Sequence, residues 1–401
     1  MTQNASAGPG SSKSTYPLFN TTFTLHRLSP LYHGNAPSPL QNVPSLTQLA
    51  RRFRDILKGE VLRGVHVGLI ARDDGLGKAG QLLECRWTVL EDERAWVRGR
   101  DRPQPDQAQR EDRETKPRGI LIEIGYERAS YTAILLRSVS PTTDKKGFTA
   151  LPLLLTRMPN PLRERLIDYL STTYDTRCSG LTLSSSLLAS SLENYLQDLT
   201  DPPDTDRRIA APLASPTMRD INLTLTFPAP VSPSLKTLDI TIPGSDIAQF
   251  LKEGRRLLPA RAPAPAPKKT RQTRASLEKE QQGPEPIFIT ALSAYTTTHL
   301  AMPLSTSTRT LSAPNVERDA DSDSDPASIR ISRIACGGFV LGAEAKVKIF
   351  APPATSHGVA EDSESDSDDE SGGSVHQRAT QRFVEGLIKR AEGVAGGLVS
   401  T

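Results

Sequence analysis

Residues 328–350 read SIRISRIACGGFVLGAEAKVKIF, and Gly337 and Gly338 divide this stretch into two halves. After the glycines, apolar side chains recur at every second residue, which is the period of a strand with one buried and one wet side. The isoleucines before the glycines predict a partner strand, with the glycine pair as the turn. We expect one long second strand that completes a sheet begun earlier in the chain. Its apolar side comprises Phe339, Leu341, Ala343, Ala345, Val347 and Ile349.

The same period of two appears in several earlier segments, and a helical period appears between them. Strands are predicted at 61–71, 82–90, 119–126, 131–139, 148–156, 221–227 and 238–242. Helices are predicted from about Ser45 to Lys58, from Asn160, over 188–199, from Ser245 to Gly254, over 287–302 and at the C-terminal end. Strands and helices in this order indicate an α+β protein.

Composition separates ordered regions from insertions. Hydrophobic residues make up 36% of the 401 residues, and 32 residues are proline. About a quarter of the chain has the composition of disordered segments. The predicted organisation is a disordered tail at 1–15, a strand-rich half with a helical pair at 16–200, a Pro-rich linker at 201–217, a second sheet half at 218–352 with disordered insertions at about 255–285 and 312–327, an acidic disordered segment at 353–377 and an amphipathic helix at 378–396.

The cysteines and the hydropathy pattern bear on the compartment. Cys85, Cys178 and Cys336 are far apart and form no CxxC pair, so we expect neither disulfides nor a zinc site. No apolar run reaches the roughly 18 residues of a membrane span. An intracellular, soluble protein with buried thiols is therefore expected.

Motifs for catalysis are weak. Gly75, Gly77 and Gly80 match GxGxxG, but the residues that follow alternate as a strand, whereas a dinucleotide site needs a helix there. We interpret the segment as a glycine-rich hairpin loop and keep a nucleotide-dependent enzyme as the weakest alternative. Asp321, Asp323 and Asp325 have the spacing that opens a calcium-binding loop, but the glycine and the closing glutamate of such a loop are absent. No catalytic residue, cofactor or metal site is predicted, and the protein is expected not to be an enzyme.

Charged segments are candidates for binding and modification. The insertion at about 255–285 is rich in lysine and arginine. It either contacts DNA phosphates or an acidic protein surface, or it is a solvated linker. Its candidate contact residues are Lys268, Lys269, Arg271 and Arg274. Four serines have an acidic residue three positions downstream, which suits an acid-directed kinase. These serines are Ser322, Ser363, Ser365 and Ser367.

Unpaired strand edges are a further candidate, because they accept a strand from a partner chain. Lys346 and Lys348 on the long strand either guard against such pairing or meet an acidic partner. An internal position for this strand is the open alternative.

Five blocks of the chain resemble, in order, fungal members of the CENP-L family. They read FNTTFTLHRLSPLYH at 19–33, LKGEVLRGVHVG at 57–68, LLLTR at 153–157, LRERLIDYL at 162–170 and RIACGGFVLG at 333–342. The resemblance implies a curved, mainly antiparallel sheet flanked by helices and no known catalytic activity. It also implies a nuclear protein of the inner kinetochore, within the constitutive centromere-associated network.

The resemblance further implies partners. Such proteins pair with a CENP-N-type subunit by extending a sheet across the interface, and they help to link CENP-C and the CENP-A nucleosome. By this analogy residues 339–350 are predicted to form the partner-facing strand. The alternative is direct DNA binding through the concave face of the sheet and the basic insertion. Direct phosphate binding would weaken steeply with salt, whereas an apolar strand interface would not.

Overall fold

The computed structural model describes residues 16–62, 79–91, 117–139, 145–200, 219–227, 235–258, 286–301, 304, 329–351 and 375–393, which contain thirteen strands and six helices. The strands are Thr22–Leu28 (β1), Leu31–Tyr32 (β2), Leu82–Leu90 (β3), Gly119–Tyr126 (β4), Ser130–Leu136 (β5), Phe148–Thr149 (β6), Leu153–Arg157 (β7), Cys178–Gly180 (β8), Ile221–Thr226 (β9), Thr237–Ile242 (β10), Arg330–Ala335 (β11), Phe339–Gly342 (β12) and Lys346–Ile349 (β13). The helices are Val43–Leu62 (α1), Asn160–Tyr174 (α2), Ser185–Thr200 (α3), Ile247–Leu257 (α4), Ile287–Leu300 (α5) and Val375–Glu392 (α6).

Eleven strands form one sheet whose main path is β10-β9-β11-β12-β13-β1-β7-β5-β4-β3, with β8 paired to β1. Every ladder between these strands is antiparallel, and β2 and β6 form a separate small pair. The predicted α+β class is confirmed. The late hairpin does complete a sheet begun early in the chain, since Val347 of β13 lies opposite Phe23 of β1.

Two hydrophobic cores lie on opposite faces of the sheet. Helices α3, α4, α5 and α6 contribute to one core, and α1 and α2 contribute to the other. Successive residues of β5 divide between them: Ile134 belongs to the first core and Leu135 to the second. Strands β4 and β5 are therefore covered on both sides, which explains why their sequences are apolar at nearly every position.

The strands from β9 to β13 are different, because within the described residues only one of their faces is covered by helices. Along β9 the buried Ile221 and Leu223 alternate with the exposed Asn222 and the half-buried Thr224. This alternation of apolar and polar side chains is typical of a sheet with one side in water.

The ends of several elements differ from the prediction. Helix α1 begins before Ser45, because the Oδ1 of Asn42 accepts a hydrogen bond from the Ser45 backbone N–H at 3.1 Å and caps the helix. Gly59 does not end α1, which continues to Leu62. The N-cap of α4 is Asp246 rather than Ser245.

The boundaries of two predicted insertions also change. Helix α4 extends to Leu257, so residues 255–257, predicted to belong to an insertion, are helical. Helix α6 begins at Val375, so residues 375–377, predicted to belong to the acidic segment, are helical. The predicted strand at 61–71, the tail at 1–15, the linker at 201–217 and the insertion at 312–327 fall on residues that lie largely or wholly outside the described ranges.

Candidate functional site

The stretch predicted to be one long strand is a tight hairpin. Strand β12 ends at Gly342 and β13 begins at Lys346. Ala345 has φ 59°, in the left-handed region, and its N–H donates to the Gly342 carbonyl at 3.0 Å. The prediction of a single strand was therefore wrong.

The error has a physical cause. In the hairpin Leu341 lies opposite Val347, and Phe339 lies opposite Ile349. A three-residue turn leaves odd-numbered residues paired with odd-numbered residues, so both arms keep their apolar side chains on the same face. The alternation of a hairpin of this register is identical to that of one long strand.

The six residues predicted to meet a partner lie inside this chain. Five of them belong to the first core, and Ala343 in the turn is half-buried. The ring of Phe339 stacks on Phe383 of α6, with centroids 3.8 Å apart, and meets Tyr195 of α3 edge to face at 5.4 Å. Strand β12 pairs with β11 and β13, and β13 pairs with β12 and β1. The prediction of a partner-facing strand here is corrected, because both strands already have a neighbour on each side.

The ends of the strand path are β10 and β3. Just before β10, the carbonyl of Lys236 accepts the backbone N–H of Phe227, the residue after β9, at 3.2 Å, which makes this pair a hydrogen-bonded one. Hydrogen-bonded pairs alternate with non-hydrogen-bonded pairs along an antiparallel ladder. Thr237, Asp239 and Thr241 therefore direct their backbone N–H and C=O groups away from β9.

Two side-chain hydrogen bonds join β10 to β9 and leave the outer edge of β10 unpaired. The Thr224 hydroxyl donates to the Asp239 carboxylate at 2.6 Å, and the Thr241 hydroxyl donates to Asn222 Oδ1 at 2.7 Å. Among the described residues, no strand pairs with the outer side of β10. Proline and lysine, which commonly protect an edge, do not occur in TLDITI.

Strand β3 has more protection than β10. Its ladder with β4 is irregular between Leu82 and Glu84, and Arg86 forms a salt bridge with Glu84. The Trp87 ring is buried and lies 6.3 Å from the Phe53 ring of α1. A bulge and exposed charges disfavour strand addition. We therefore take β10 as the candidate edge.

The uncovered face of β9–β13 carries basic side chains. Arg333 lies opposite Thr224 on one side and Gly342 on the other, and Gly342 lies opposite Lys346. Lys348 lies two residues further along β13, with its Nζ 5.3 Å from the Phe350 ring centroid. Glu344 in the turn forms a salt bridge with Lys346 at 2.8 Å. This arrangement is a polar surface with a surplus of positive charge.

The predicted basic contacts Lys268, Lys269, Arg271 and Arg274 lie outside the described residues. The same holds for the predicted phosphorylation sites Ser322, Ser363, Ser365 and Ser367. Both sets stay predictions.

The described residues that could take part in chemistry have ordinary or unreactive environments. The chain enters strand β3 just after Gly80, whereas a dinucleotide fingerprint requires a helix at this point. Burial raises the pKa values of the Cys85 and Cys178 thiols to about 11, which is opposite to the shift that activates a thiolate. In the described ranges, no group of three His, Cys, Asp or Glu side chains could hold a metal ion, and no helix is long and apolar enough to cross a membrane.

The fold and its surfaces define an α+β sheet protein whose accessible features are a strand edge and a polar sheet face, which are features of a binding scaffold. The family model for centromere protein L, CENP-L, matches residues 17–392. The chain therefore belongs to the CENP-L family, a family of structural subunits of the inner kinetochore that is not known for enzymatic activity. No curated protein matches the chain. A fungal origin stays a prediction.

The candidate edge β10 was missed by the sequence reasoning. Its residues were predicted as a strand, but an alternating segment does not reveal which strands flank it. The signal that could have drawn attention to it is the lack of protective residues in TLDITI, compared with the two lysines of β13.

Proposed function

We propose that this chain is a non-enzymatic adaptor of the inner kinetochore that pairs with a CENP-N-type subunit through the outer edge of β10. In this arrangement the partner adds a strand beside β10 and continues the antiparallel sheet. The pair would then help to link CENP-A chromatin and CENP-C to the rest of the kinetochore. This function places the chain at the centromere in the nucleus.

The observation that carries the proposal is the unpaired backbone of β10 at one end of the sheet path. Thr237, Asp239 and Thr241 offer three N–H and three C=O groups in a row, in the geometry that an antiparallel partner strand requires. The strand is already straightened by its six-residue ladder with β9, so little conformational entropy is lost when a partner binds.

The test compares Asp239→Pro with Asp239→Ala in the purified chain and a CENP-N-type subunit. Proline removes one outward N–H without touching the inward hydrogen bonds to β9, whereas alanine removes only the carboxylate. We expect about tenfold weaker binding for the proline variant, corresponding to about one net hydrogen bond, and less than about threefold for alanine. Equal affinities for the two variants would exclude β10 as the edge.

Amide hydrogen exchange supplies a second measurement. On adding the partner, the outward amides of β10 should slow, while those of the internal strands β12 and β13 should stay unchanged. Slowing at β3 instead of β10 would move the interface to the opposite end of the sheet.

Direct DNA binding is the second candidate, and the basic side chains on the uncovered sheet face favour it. Arg333 and Lys346 lie on strands two ladders apart, so their Cα atoms are about 10 Å from each other. If these residues contact phosphates, the slope of log K against log salt should fall by about 0.9 for each contact removed. Lys346→Gln and Lys348→Gln test this, and an unchanged slope would exclude the sheet face as a DNA site.

A further inference from the structure

Glu385 of α6 is held by three groups at the end of β5 and the start of β4. Its carboxylate accepts hydrogen bonds from the Ser138 hydroxyl and from the Val139 backbone N–H, the latter at 3.3 Å. The Arg118 guanidinium donates to the same carboxylate through Nη2 at 3.0 Å. Glu385 thus attaches the C-terminal helix to strands of the opposite half of the sheet.

Arg118 has capacity for a second anion. Its side chain is only 11% exposed, and within the described structure its Nη1 has no hydrogen-bond partner. Guanidinium groups bind phosphate through two parallel N–H donors, so a phosphate beside Arg118 could use both nitrogens. The backbone N–H of Arg137 donates to the backbone carbonyl of Arg118 at 3.1 Å, which keeps the residues around Ser138 next to Arg118.

Ser138 is accessible enough to be modified. It lies two residues after Leu136, the last residue of β5, it is half-buried, and the next side chain, Val139, is 60% exposed. A phosphoryl group on its Oγ would replace the hydroxyl proton, which now satisfies Glu385, with nearly two negative charges. Glu392 lies near Glu385 and adds to the local negative charge, while Lys389 partly offsets it.

We propose that Ser138 is a phosphorylation site that controls the attachment of α6. A protein kinase transfers the γ-phosphoryl group of ATP to the Ser138 Oγ; the new O–P bond replaces the bond to the β-phosphate, and ADP and the hydroxyl proton are released. Arg118 then exchanges its partner from Glu385 to the phosphate, and the two anions repel each other. The helix detaches more often, and each detachment uncovers Phe339 beneath Phe383.

Phe339 is one of the six residues that the sequence predicted for a partner. A partner would reach it only when α6 has moved. This last step rests on the proposed function, whereas the loosening of α6 does not, and it is measured on the isolated chain.

The experiment installs phosphoserine at position 138 during translation and measures amide hydrogen exchange over residues 375–392. Loss of the attachment and repulsion between two anions should raise the exchange rates of α6 at least about tenfold. Phosphoserine at Ser179, an exposed residue of β8, is the control of equal charge and should leave α6 unchanged. Ser138→Ala removes the hydrogen bond to Glu385 without adding charge and should raise exchange by less than about threefold.

A charge reversal separates the switch from a purely structural effect. Glu385→Lys places a cation against the phosphate, so it should restore slow exchange in the phosphorylated chain and accelerate exchange in the unmodified chain. Unchanged α6 exchange after phosphorylation, or no rescue by Glu385→Lys, would overturn the proposal.

Phosphopeptide mapping of the chain from dividing cells tests the modification itself. Phosphate at Ser138 during part of the cell cycle is expected, and its absence at every stage would also overturn the proposal. If the chain fails to bind a CENP-N-type subunit in either state, the proposed function fails while the exchange results stand.

Discussion

Glu193 of α3 offers a sharp test of how the second half of the chain is held together. It is 2% exposed, and its carboxylate accepts the backbone N–H groups of Phe288 at 3.1 Å and Ile289 at 3.0 Å. Gln197 also donates to it at 3.1 Å. These N–H groups belong to the first turn of α5 and have no partner within that helix, so a distant carboxylate caps it.

Replacing Glu193 with alanine should destabilise the protein by about 3 kcal/mol. Each buried N–H that loses its acceptor costs about 1–3 kcal/mol, and the two costs are partly offset because a buried charge is removed. Glutamine keeps one acceptor oxygen without the charge, so we expect a loss of about 1 kcal/mol. Equilibrium unfolding in urea at pH 7 measures both changes, and hydrogen exchange at the first turn of α5 locates them.

The pH dependence gives a second, independent result. Burial, which outweighs the hydrogen bonds to α5, raises the pKa of Glu193. Because the pKa is higher in the folded state than in the unfolded state, Glu193 stabilises the fold fully at pH values below its unfolded-state pKa. This stabilisation is lost as the pH rises through the folded-state pKa. Wild type should therefore gain stability relative to Glu193→Gln on going from pH 7 to pH 4. A loss below 0.5 kcal/mol for alanine, or a glutamine difference that does not change with pH, would refute the reasoning.

Three further changes test the packing around the sheet. A Cβ on Gly338 would lie 2.5 Å from the Tyr195 ring, so Gly338→Ala should cost about 1–3 kcal/mol, whereas Gly337→Ala meets nothing closer than 3.6 Å and should change the melting temperature little. Phe383→Ala removes the ring stacked on the hairpin and should cost about 3–5 kcal/mol in urea unfolding; a cost under 1 kcal/mol would mean that α6 is not firmly docked. Burial and then the charge of Arg163 lower the pKa of His26 to about 4, so its contribution to stability is present above pH 6.5 and lost as pH falls towards 4. His26→Gln should remove this part of the acid dependence, and an unchanged pH profile between 6.5 and 4 would contradict the assignment.

The sequence alone was sufficient to identify most elements. The alternation of apolar residues from Ile221 to Phe227 predicts a strand, and β9 occupies Ile221–Thr226. Pro161 after Asn160 predicts a helix start with Asn160 as the N-cap; α2 does begin at Asn160, but its N-cap is Pro159 and no side chain caps it. These predictions succeed because the period of two or of 3.6 is a local property of neighbouring side chains and of the face that they bury.

Turns with unremarkable residues were harder to predict. Gly337 and Gly338 predict the bend between β11 and β12. The bend after Gly342 instead contains Ala343, Glu344 and Ala345, and Ala345 has a left-handed conformation. A left-handed alanine is intrinsically unfavourable, and here the flanking ladders hold it in place. The local sequence pattern thus favours a continuous strand, whereas pairing with the neighbouring strands β11 and β1 stabilises a hairpin.

The identity of the partners is also what only the tertiary structure decided. The apolar face of β13 indicates that this face is buried. It does not indicate that β1 and β12 lie on either side of β13, or that α6 covers Phe339. Likewise, nothing in TLDITI states that β10 ends the sheet. Side-chain periodicity encodes which face of a strand avoids water, whereas the order of strands depends on contacts between residues hundreds of positions apart. For this reason the sequence alone predicted most helices and strands and the family resemblance. The unpaired edge at β10 and the attachment of the C-terminal helix are visible only in the tertiary structure.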